Sequence, residues 1–226
     1  MRESSESSKG AALNAVDEAV AAIRAGKPVV LPFDTVYGLA AREDEPYARL
    51  LYELKGRAPG QPTALVAHDV ESLLERIPEL SGQPLLRGPF TLIVPNPAQR
   101  FRWLTGSNPD AIGVRLPELT GAGAEVLARV GVVVATSANH PGGPDPATLT
   151  AVPEEIRAKV AAVVDGGELP GTPSTVVDLT GTQPRILREG AVSAAETMRR
   201  LETAVRSRRT PGEESRWPSP SSRSSS

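Results

Sequence analysis

The sequence predicts an α/β protein in which helices cover both faces of a mixed β-sheet. Short apolar runs rich in Val, Ile and Leu alternate along the chain with segments whose apolar residues recur at helical spacing. Several apolar runs follow one another after only a short connection, whereas neighbouring parallel strands need a long crossover. We therefore expect parallel and antiparallel pairs within one sheet.

The first predicted helix, Leu13–Ala25, carries apolar residues at positions 13, 16, 20 and 23, which lie on one side of a helix. Gly26 and Pro28 follow it and are typical of a helix end. The second, Pro46–Lys55, has leucines at positions 50, 51 and 54 to bury in the same way. Further helices are predicted at Val70–Ile77, Glu125–Val130, Glu154–Val160 and Ala194–Val205.

The strands are predicted where short apolar runs are bounded by turn-forming residues. The run Val132–Thr136 is strongly β-branched, which indicates a buried strand. The other strands are predicted at Val29–Leu31, Val36–Ala41, Ala64–Ala67, Thr91–Val94, Ile112–Leu116, Ala162–Val164, Thr175–Leu179 and Arg185–Leu187.

The composition excludes several kinds of site. The chain of 226 residues contains no cysteine, so it has no disulfide, no cysteine-bound zinc or iron–sulfur cluster and no cysteine nucleophile. It has only two histidines, His68 and His140, which argues against a histidine-rich metal site. Aromatic residues make up 4% and the formal net charge is −2, so neither a base-stacking nor a broadly basic surface for nucleic acid is indicated.

The two ends of the chain differ in composition from its middle. Residues 206–226 are rich in Ser, Pro and Arg with no aliphatic residue, and residues 1–10 are polar. We expect both to be disordered tails around one domain, 11–205. The N-terminus has no apolar signal-peptide core, and no apolar stretch approaches the ~20 residues that span a bilayer. We therefore expect a soluble, cytoplasmic protein with no membrane association.

Polar and cationic residues stand at the ends of the predicted strands, where open α/β sheets bind ligands. The sequence contains neither a P-loop nor a G-x-S-x-G nucleophile elbow. Six segments carry these residues: Pro32–Leu39 (PFDTVYGL), Lys55–Arg57 (KGR), Ile112–Arg115 (IGVR), Thr136–Asn139 (TSAN), Ser174–Asp178 (STVVD) and Ile186–Gly190 (ILREG).

Most of these residues also have a purely structural interpretation. Lys55 closes a helix, where a cation favours the helix dipole whatever the function. Ser137 and Asn139 follow a buried strand and could cap a turn, and Arg115 could form a surface ion pair. Arg57 lies in a Gly/Pro-rich loop with no helix end to explain it. Lys-Gly-Arg in such a loop suits two cations that converge on phosphates.

Taken in order and together with Gly88–Pro95 (GPFTLIVP), the six segments resemble the YrdC-like threonylcarbamoyl-adenylate synthase family over about Leu13–Ala195. The resemblance implies the single-domain, three-layer YrdC-like fold, with a twisted mixed sheet and a concave, positively charged cavity. It also implies an enzyme, a nucleotidyltransferase that condenses L-threonine, bicarbonate and ATP to threonylcarbamoyl-AMP and pyrophosphate, with Mg²⁺ bridging the phosphates. The implied product serves the t6A modification of adenosine 37 in tRNAs that read codons starting with A, so the implied partners are the proteins that transfer it to tRNA.

The resemblance also assigns roles to individual residues. Lys55 and Arg57 are the implied catalytic cations. The implied ATP-binding residues are Lys55, Arg57, Arg115, Ser137, Asn139 and Arg188. The implied threonine and bicarbonate site comprises Thr35, Tyr37, Arg115 and Ser174.

The sequence departs from the family pattern at several positions. Ala58 and Thr63 stand where the family usually has Pro and Leu. Val66 stands where many members have His, and Leu119 and Thr120 replace a His-Pro pair. These differences leave open a paralogue with another substrate or reduced activity. The sequence is also compatible with a non-catalytic RNA-binding or translation-associated module, with weak RNA binding through the Arg-rich tail. A carbamoyl-transfer enzyme that uses ATP and carbamoyl phosphate is the third function it leaves open.

Overall fold

The computed structural model describes residues 3–56 and 60–207, with side chains from residue 12 onward. Every helix and strand predicted from the sequence is present there. The α-helices are α1 Glu3–Arg24, α2 Glu45–Lys55, α3 Val70–Arg76, α4 Gly121–Val130, α5 Glu154–Arg157 and α6 Ala194–Ser207. The strands are β1 Val29–Pro32, β2 Tyr37–Ala41, β3 Ala64–Ala67, β4 Phe90–Pro95, β5 Ala111–Arg115, β6 Val132–Ser137, β7 Ala162–Val163, β8 Thr175–Asp178 and β9 Arg185–Arg188. Short 3₁₀ turns at Pro78–Leu80, Arg102–Leu104 and Leu149–Ala151 were not predicted, because three residues are too few to show a periodic pattern.

The two ends of the described part extend beyond the predicted domain. Helix α1 begins at Glu3, inside the segment predicted to be a disordered tail, rather than at Leu13. This polar segment shows no apolar periodicity, but it has no proline, and extending a helix costs far less than nucleating one. Helix α6 continues to Ser207, and the rest of the predicted C-terminal tail, 208–226, lies outside the described residues.

The described strands form one nine-stranded sheet in the order β7-β1-β2-β6-β3-β5-β4-β8-β9. The pairs β1–β7, β3–β5 and β4–β8 are parallel, and the other neighbouring pairs are antiparallel. The prediction of a mixed sheet is therefore confirmed. The strongly β-branched strand β6 lies inside it, between β2 and β3, where both of its backbone edges are paired.

Side-chain alternation divides the core between the two faces of the sheet. Val29 and Leu31 of β1 lie in one buried cluster, whereas Val30 between them lies in the other. The first cluster includes Ile23 of α1 and Val126 of α4, so we call this side of the sheet the α1 face. The second cluster includes buried residues of α2, α3, α5 and α6. The sheet thus has helices on both faces, and the predicted three-layer arrangement is confirmed.

Helix α2 ends at a glycine, and this stop places a lysine at the edge of the sheet. Gly56 adopts the left-handed conformation with φ 60°, and its N–H donates to the carbonyls of Glu53 and Tyr52. Glycine takes this conformation without steric cost, which is why it commonly follows a helix. Lys55 is therefore the last helical residue, as the sequence predicted.

Candidate functional site

The α1 face is buried over one half of the sheet and only half-buried over the other. Val133 of β6 and Val66 of β3 are buried there beneath the cluster formed by α1 and α4. At the start of β3 and across β5, β4 and β8 the same face is more accessible. We call this part the open face, and its half-buried members are Ala64, Gly113, Thr91, Ile93 and Val176.

Arg115 ends β5 beside the open face and reaches the loop that follows β1. Its Nη2 donates to Asp34 Oδ1 at 2.8 Å and lies 3.4 Å from Thr35 Oγ1. The side chains of Arg115 and Asp34 are only 14% and 6% exposed. The second oxygen of Asp34 accepts the backbone N–H of Glu118 at 3.1 Å. One carboxylate therefore ties the end of β5 to the β1–β2 loop.

The hydrogen-bonding capacity of the Arg115 guanidinium is met only in part by the described residues. Burial lowers the pKa of Arg115, the positive charge of Arg188 lowers it further, and Asp34 opposes both effects. Among the described residues, Arg115 Nε has no hydrogen-bond partner. A buried donor without a partner is costly unless a ligand accepts from it. Two cations near one carboxylate leave a net positive charge, and this environment favours an anion.

Arg188, at the end of β9, holds Ser174 in place. Its Nη2 and Nε donate to the Ser174 carbonyl at 2.8 and 3.3 Å. The Ser174 hydroxyl is hydrogen bonded to Thr91 Oγ1 at 2.8 Å, and Thr91 lies on the strand paired with β5. The structure thus brings three predicted residues, Arg115, Ser174 and Arg188, to the same part of the open face.

Close backbone packing fixes the position of Ser174. A Cβ atom on Gly190 would lie 2.2 Å from the Pro173 carbonyl oxygen and 2.6 Å from that of Ser174. The buried Thr175 hydroxyl accepts the N–H groups of Gly190 and Val192 at 3.0 and 3.2 Å. The glycine of the ILREG segment is therefore required for the approach of two chain segments.

Lys55 reaches from the end of α2 to the C-terminal end of β6. Its Nζ donates to the Ser137 carbonyl at 2.6 Å and to Asn139 Oδ1 at 3.0 Å, and Thr136 Oγ1 lies at 3.3 Å. The residue is 5% exposed, so its ammonium group is held in one place. The structure thus brings together Lys55, Ser137 and Asn139, and their contact with ATP stays a prediction.

Asn139 also organises the loop that follows β6. Its Nδ2 donates to the carbonyls of Gly143 and Pro144 at 2.8 and 3.2 Å. The Ser137 hydroxyl donates to Asn139 Oδ1 at 2.7 Å. The structural interpretation, that Ser137 and Asn139 shape a turn, is therefore confirmed. The same turn supplies the oxygen atoms that accept hydrogen bonds from Lys55.

Tyr37 is buried on the side of the sheet opposite to the open face. Its hydroxyl lies 2.9 Å from Asp165 Oδ1 and 2.8 Å from the Gly167 carbonyl, and it accepts the N–H of Gly166 at 2.9 Å. Burial raises the pKa of Tyr37 to about 12. In this position Tyr37 secures the loop 165–167, and its predicted contact with threonine stays a prediction.

Some site residues were missed by the sequence analysis, and others cannot be placed. Arg57 and Ala58 lie outside the described residues. Val66 is fully buried beneath α1 and α4 on the same side of the sheet as the open face, where it is paired in register with Arg115. Asp34 and Thr91 were not singled out, although both lie inside the quoted segments PFDTVYGL and GPFTLIVP. The signal for Asp34 was available, because a buried arginine at a strand end needs a counter-charge.

Membrane-spanning helices and metal clusters are both absent from residues 3–56 and 60–207. None of the helices in these ranges is both long and apolar enough to cross a lipid bilayer. No group of three or more His, Cys, Asp or Glu side chains in the same ranges is arranged to hold a metal ion.

A model of the Sua5, YciO and YrdC family, described as telomere recombination, matches residues 21–190. A threonylcarbamoyl-AMP synthase of Pyrococcus abyssi is 36% identical over 184 residues, which are 77% of this chain and 53% of the relative. A relative from Mycobacterium tuberculosis, named provisionally for the same activity, is 35% identical over 184 residues, covering 77% of this chain and 83% of the relative. This chain thus spans about half the length of the Pyrococcus relative.

The fold is also similar to that of a solved structure. The crystal structure of P. abyssi Sua5 complexed with L-threonine superposes with a TM-score of 0.72 and 32% sequence identity. The superposition covers 82% of this chain and 56% of that chain. The likeness therefore extends over most of the sheet and helices described above.

Proposed function

Since the chain belongs to the Sua5/YciO/YrdC family, we propose that it is a threonylcarbamoyl-AMP synthase, a nucleotidyltransferase. The proposed substrates are L-threonine, bicarbonate and ATP, and the products are threonylcarbamoyl-AMP and pyrophosphate. The product would serve proteins that transfer the threonylcarbamoyl group to adenosine 37 of tRNA. The names of the relatives and the cations around the open face support this proposal.

The single observation that carries the proposal is the burial of the Arg115 guanidinium with one donor left without a partner among the described residues. Its guanidinium is mostly buried, lies within the field of Arg188 and has an Nε without a hydrogen-bond partner among the described residues. The carboxylate of threonine and the carbamate made from its amine are both anions that would accept from this donor. Thr35 and Ser174, which border the same place, supply hydroxyl groups for the polar end of the amino acid.

The proposed chemistry has two steps. The threonine amine attacks bicarbonate, and loss of water leaves a carbamate. A carbamate oxygen then attacks the α-phosphorus of ATP, the bond from that phosphorus to the bridging oxygen breaks, and pyrophosphate leaves. Negative charge gathers on the phosphate during this transfer, so fixed cations and N–H donors are the groups that lower its barrier.

The phosphates of ATP are assigned to the end of the site where Lys55 lies. Lys55 is held by Ser137 and Asn139 at the end of β6, and Arg57 follows two residues later in the sequence. Arg115 and Arg188 would then lie where the carbamate meets the α-phosphate. These donors are cationic and amide groups, which suit phosphate oxygens, and Mg²⁺ in this proposal is carried by the phosphates themselves.

The test measures pyrophosphate release from ATP and Mg²⁺, with and without threonine and bicarbonate. We expect release only when both are present, and threonylcarbamoyl-AMP should be detected by rapid mass spectrometry. The Lys55→Met variant keeps an apolar stem of similar length and should lower turnover by ~10²–10³, the usual loss for one transition-state donor. The matched control is Lys27→Met at an exposed lysine, which should leave turnover unchanged.

One outcome would contradict the proposed activity, and another would contradict only the proposed role of Lys55. Pyrophosphate release that does not depend on threonine would exclude this synthase activity. Full turnover by folded Lys55→Met would remove the proposed role of the lysine while leaving the reaction itself in place.

A further inference from the structure

The 101–106 turn is fastened to the helix that carries Lys55. The indole N–H of Trp103 donates to the Glu43 carbonyl at 2.9 Å, just before α2 begins. The hydroxyl of Tyr52, on α2 about one turn before Lys55, donates to the Trp103 carbonyl at 3.1 Å. The turn therefore cannot move without disturbing α2 near its C-terminal end.

The same turn also contacts the chain segment that enters β3. The N–H of Thr63 donates to the Leu104 carbonyl at 2.9 Å. A Cβ atom on Gly106 would lie 2.6 Å from the Gly60 carbonyl oxygen and 3.0 Å from Pro62 Cδ. Contacts under 3.0 Å to backbone atoms require something to shift, because the neighbour is not a flexible side-chain end. Gly106 thus permits a close approach of two backbone segments.

We propose that Gly106 is a positioning residue for the nucleotide end of the site. A side chain at this position must displace Gly60 or push the 101–106 turn back toward α2. Either movement changes the distance between Lys55 and residues 60–63. Lys55 is the residue proposed to bind the phosphates of ATP, and a shift of α2 would move it relative to its acceptors at the end of β6.

This inference rests on the proposed function, because it takes the ligand of Lys55 to be the phosphates of ATP. The effect of a substitution at Gly106 should therefore be confined to ATP and should not extend to threonine. Arg115 and Ser174, proposed for threonine, are held by Asp34, Arg188 and β4, none of which contacts the 101–106 turn through the hydrogen bonds described above. Misplacement of a binding group by about 1 Å can cost ~10²-fold in rate.

The experiment compares Gly106→Ala with Gly121→Ala. Both glycines have positive φ values, +67° and +62°, so alanine introduces similar backbone strain at each. At Gly121 a Cβ atom would meet nothing within 4 Å among the described residues. The two variants therefore differ in the clash with Gly60 and Pro62, and Gly121→Ala serves as the matched control.

Three quantities are measured for each variant: the KM for ATP and for threonine, the affinity for ATP by calorimetry, and amide hydrogen exchange across residues 60–63. Gly106→Ala should raise the KM and Kd for ATP by about tenfold or more, leave the KM for threonine unchanged and speed exchange at Thr63. Gly121→Ala should change none of them. A second variant, Tyr52→Phe, removes one hydrogen bond from the turn and should weaken ATP binding in the same direction by less.

Equal ATP affinities for Gly106→Ala and Gly121→Ala would overturn the inference, and so would equal losses for ATP and threonine. Failure of the proposed function gives a different result. In that case the wild type releases no pyrophosphate in response to threonine, while calorimetry and hydrogen exchange still separate the two glycine variants.

Discussion

Asp34 and Arg115 form a mostly buried ion pair, with 2.8 Å between Oδ1 and Nη2, that joins residues 81 positions apart in the sequence. The pair connects the loop after β1 to the end of β5, beside the open face. Because Asp34 also accepts the backbone N–H of Glu118, its carboxylate is fixed from two sides. The orientation of the arginine therefore depends on a residue that the sequence analysis did not single out.

Replacing Asp34 with asparagine should destabilise the protein markedly. The substitution keeps the shape of the side chain but leaves the guanidinium of Arg115 mostly buried without its counter-charge. Removing one partner of a buried ion pair typically costs about 3–5 kcal/mol. The free energy of unfolding, measured by urea denaturation, should fall by an amount in that range.

The matched control for this prediction is Asp17→Asn. Asp17 pairs with Arg129 at 2.7 Å, but its side chain is 65% exposed. Exposed pairs contribute about 0–1 kcal/mol, so this variant should unfold almost as the wild type does. Similar losses for Asp34→Asn and Asp17→Asn would show that the pair with Arg115 is not effectively desolvated.

Tyr37 should make stability depend on pH in the alkaline range. Burial raises the pKa of Tyr37 from 10.0 to about 12 in the folded protein. The folded state therefore keeps this proton to higher pH than the unfolded chain does. The stabilising contribution is complete below pH 10 and is lost as the pH rises toward 12, with a slope of up to about 1.4 kcal/mol per pH unit.

The test measures the free energy of unfolding from pH 9 to 12 for the wild type and Tyr37→Phe. Phenylalanine cannot ionise, so the decline should be less steep in the variant over this window. The variant should also be less stable at pH 7, because the phenol no longer holds the loop 165–167. Parallel curves for the two proteins would show that Tyr37 does not titrate with a raised pKa.

Gly190→Ala should displace Ser174 and weaken threonine binding. The added Cβ would lie 2.2 Å from the Pro173 carbonyl oxygen, a contact that only backbone movement can relieve. Overpacking of this kind typically costs about 1–3 kcal/mol. We expect a lower Tm and a higher KM for threonine, measured by thermal unfolding and by pyrophosphate release.

Gly181→Ala is the control, since its Cβ would meet Gln183 O at an ordinary 3.7 Å. This variant should keep both the Tm and the KM for threonine. An unchanged KM in Gly190→Ala would separate the packing of this glycine from substrate binding and would weaken the assignment of Ser174 to threonine.

Arg188→Ala should reduce turnover strongly, while Arg185→Ala on the same strand should not. Arg188 donates to the Ser174 carbonyl, and its positive charge lowers the pKa of Arg115. Arg185 instead forms an ion pair with Asp178, and its side chain is 73% exposed. Loss of one charged donor to the transition state costs ~10²–10³ in rate. The measurement is kcat/KM for threonine at saturating ATP, and equal values for the two variants would exclude a specific role for Arg188.

Local sequence patterns were sufficient to predict the order and type of the main elements. The run Val132–Thr136 predicts a buried strand because β-branched side chains favour strands, and β6 spans Val132–Ser137. Helix α2 ends because Gly56 adopts the left-handed conformation, and Lys55 was therefore correctly predicted as its last residue. The start of α1 was predicted wrongly, because its first residues are polar and their helical state has no apolar signal.

The candidate site depended on more than local pattern. The resemblance implied Lys55, Ser137 and Asn139 as members of one ATP-binding group, and the structure brings them into hydrogen-bonding distance. For Tyr37 the motif alone did not show on which side of the sheet the side chain lies. The alternation of β2 turns it toward the core on the side opposite to the open face, and its predicted contact with threonine stays a prediction.

The sequence by itself determined the α/β class and the order and type of the main elements, because these follow from local propensity and apolar periodicity. It also determined which cations are available for chemistry. Only the tertiary structure decided that Asp34 is the counter-charge of Arg115, that Arg188 holds Ser174 and that Gly106 packs against Gly60. These contacts join residues far apart in the chain. Strand order and register create them, and neither is encoded in any local segment.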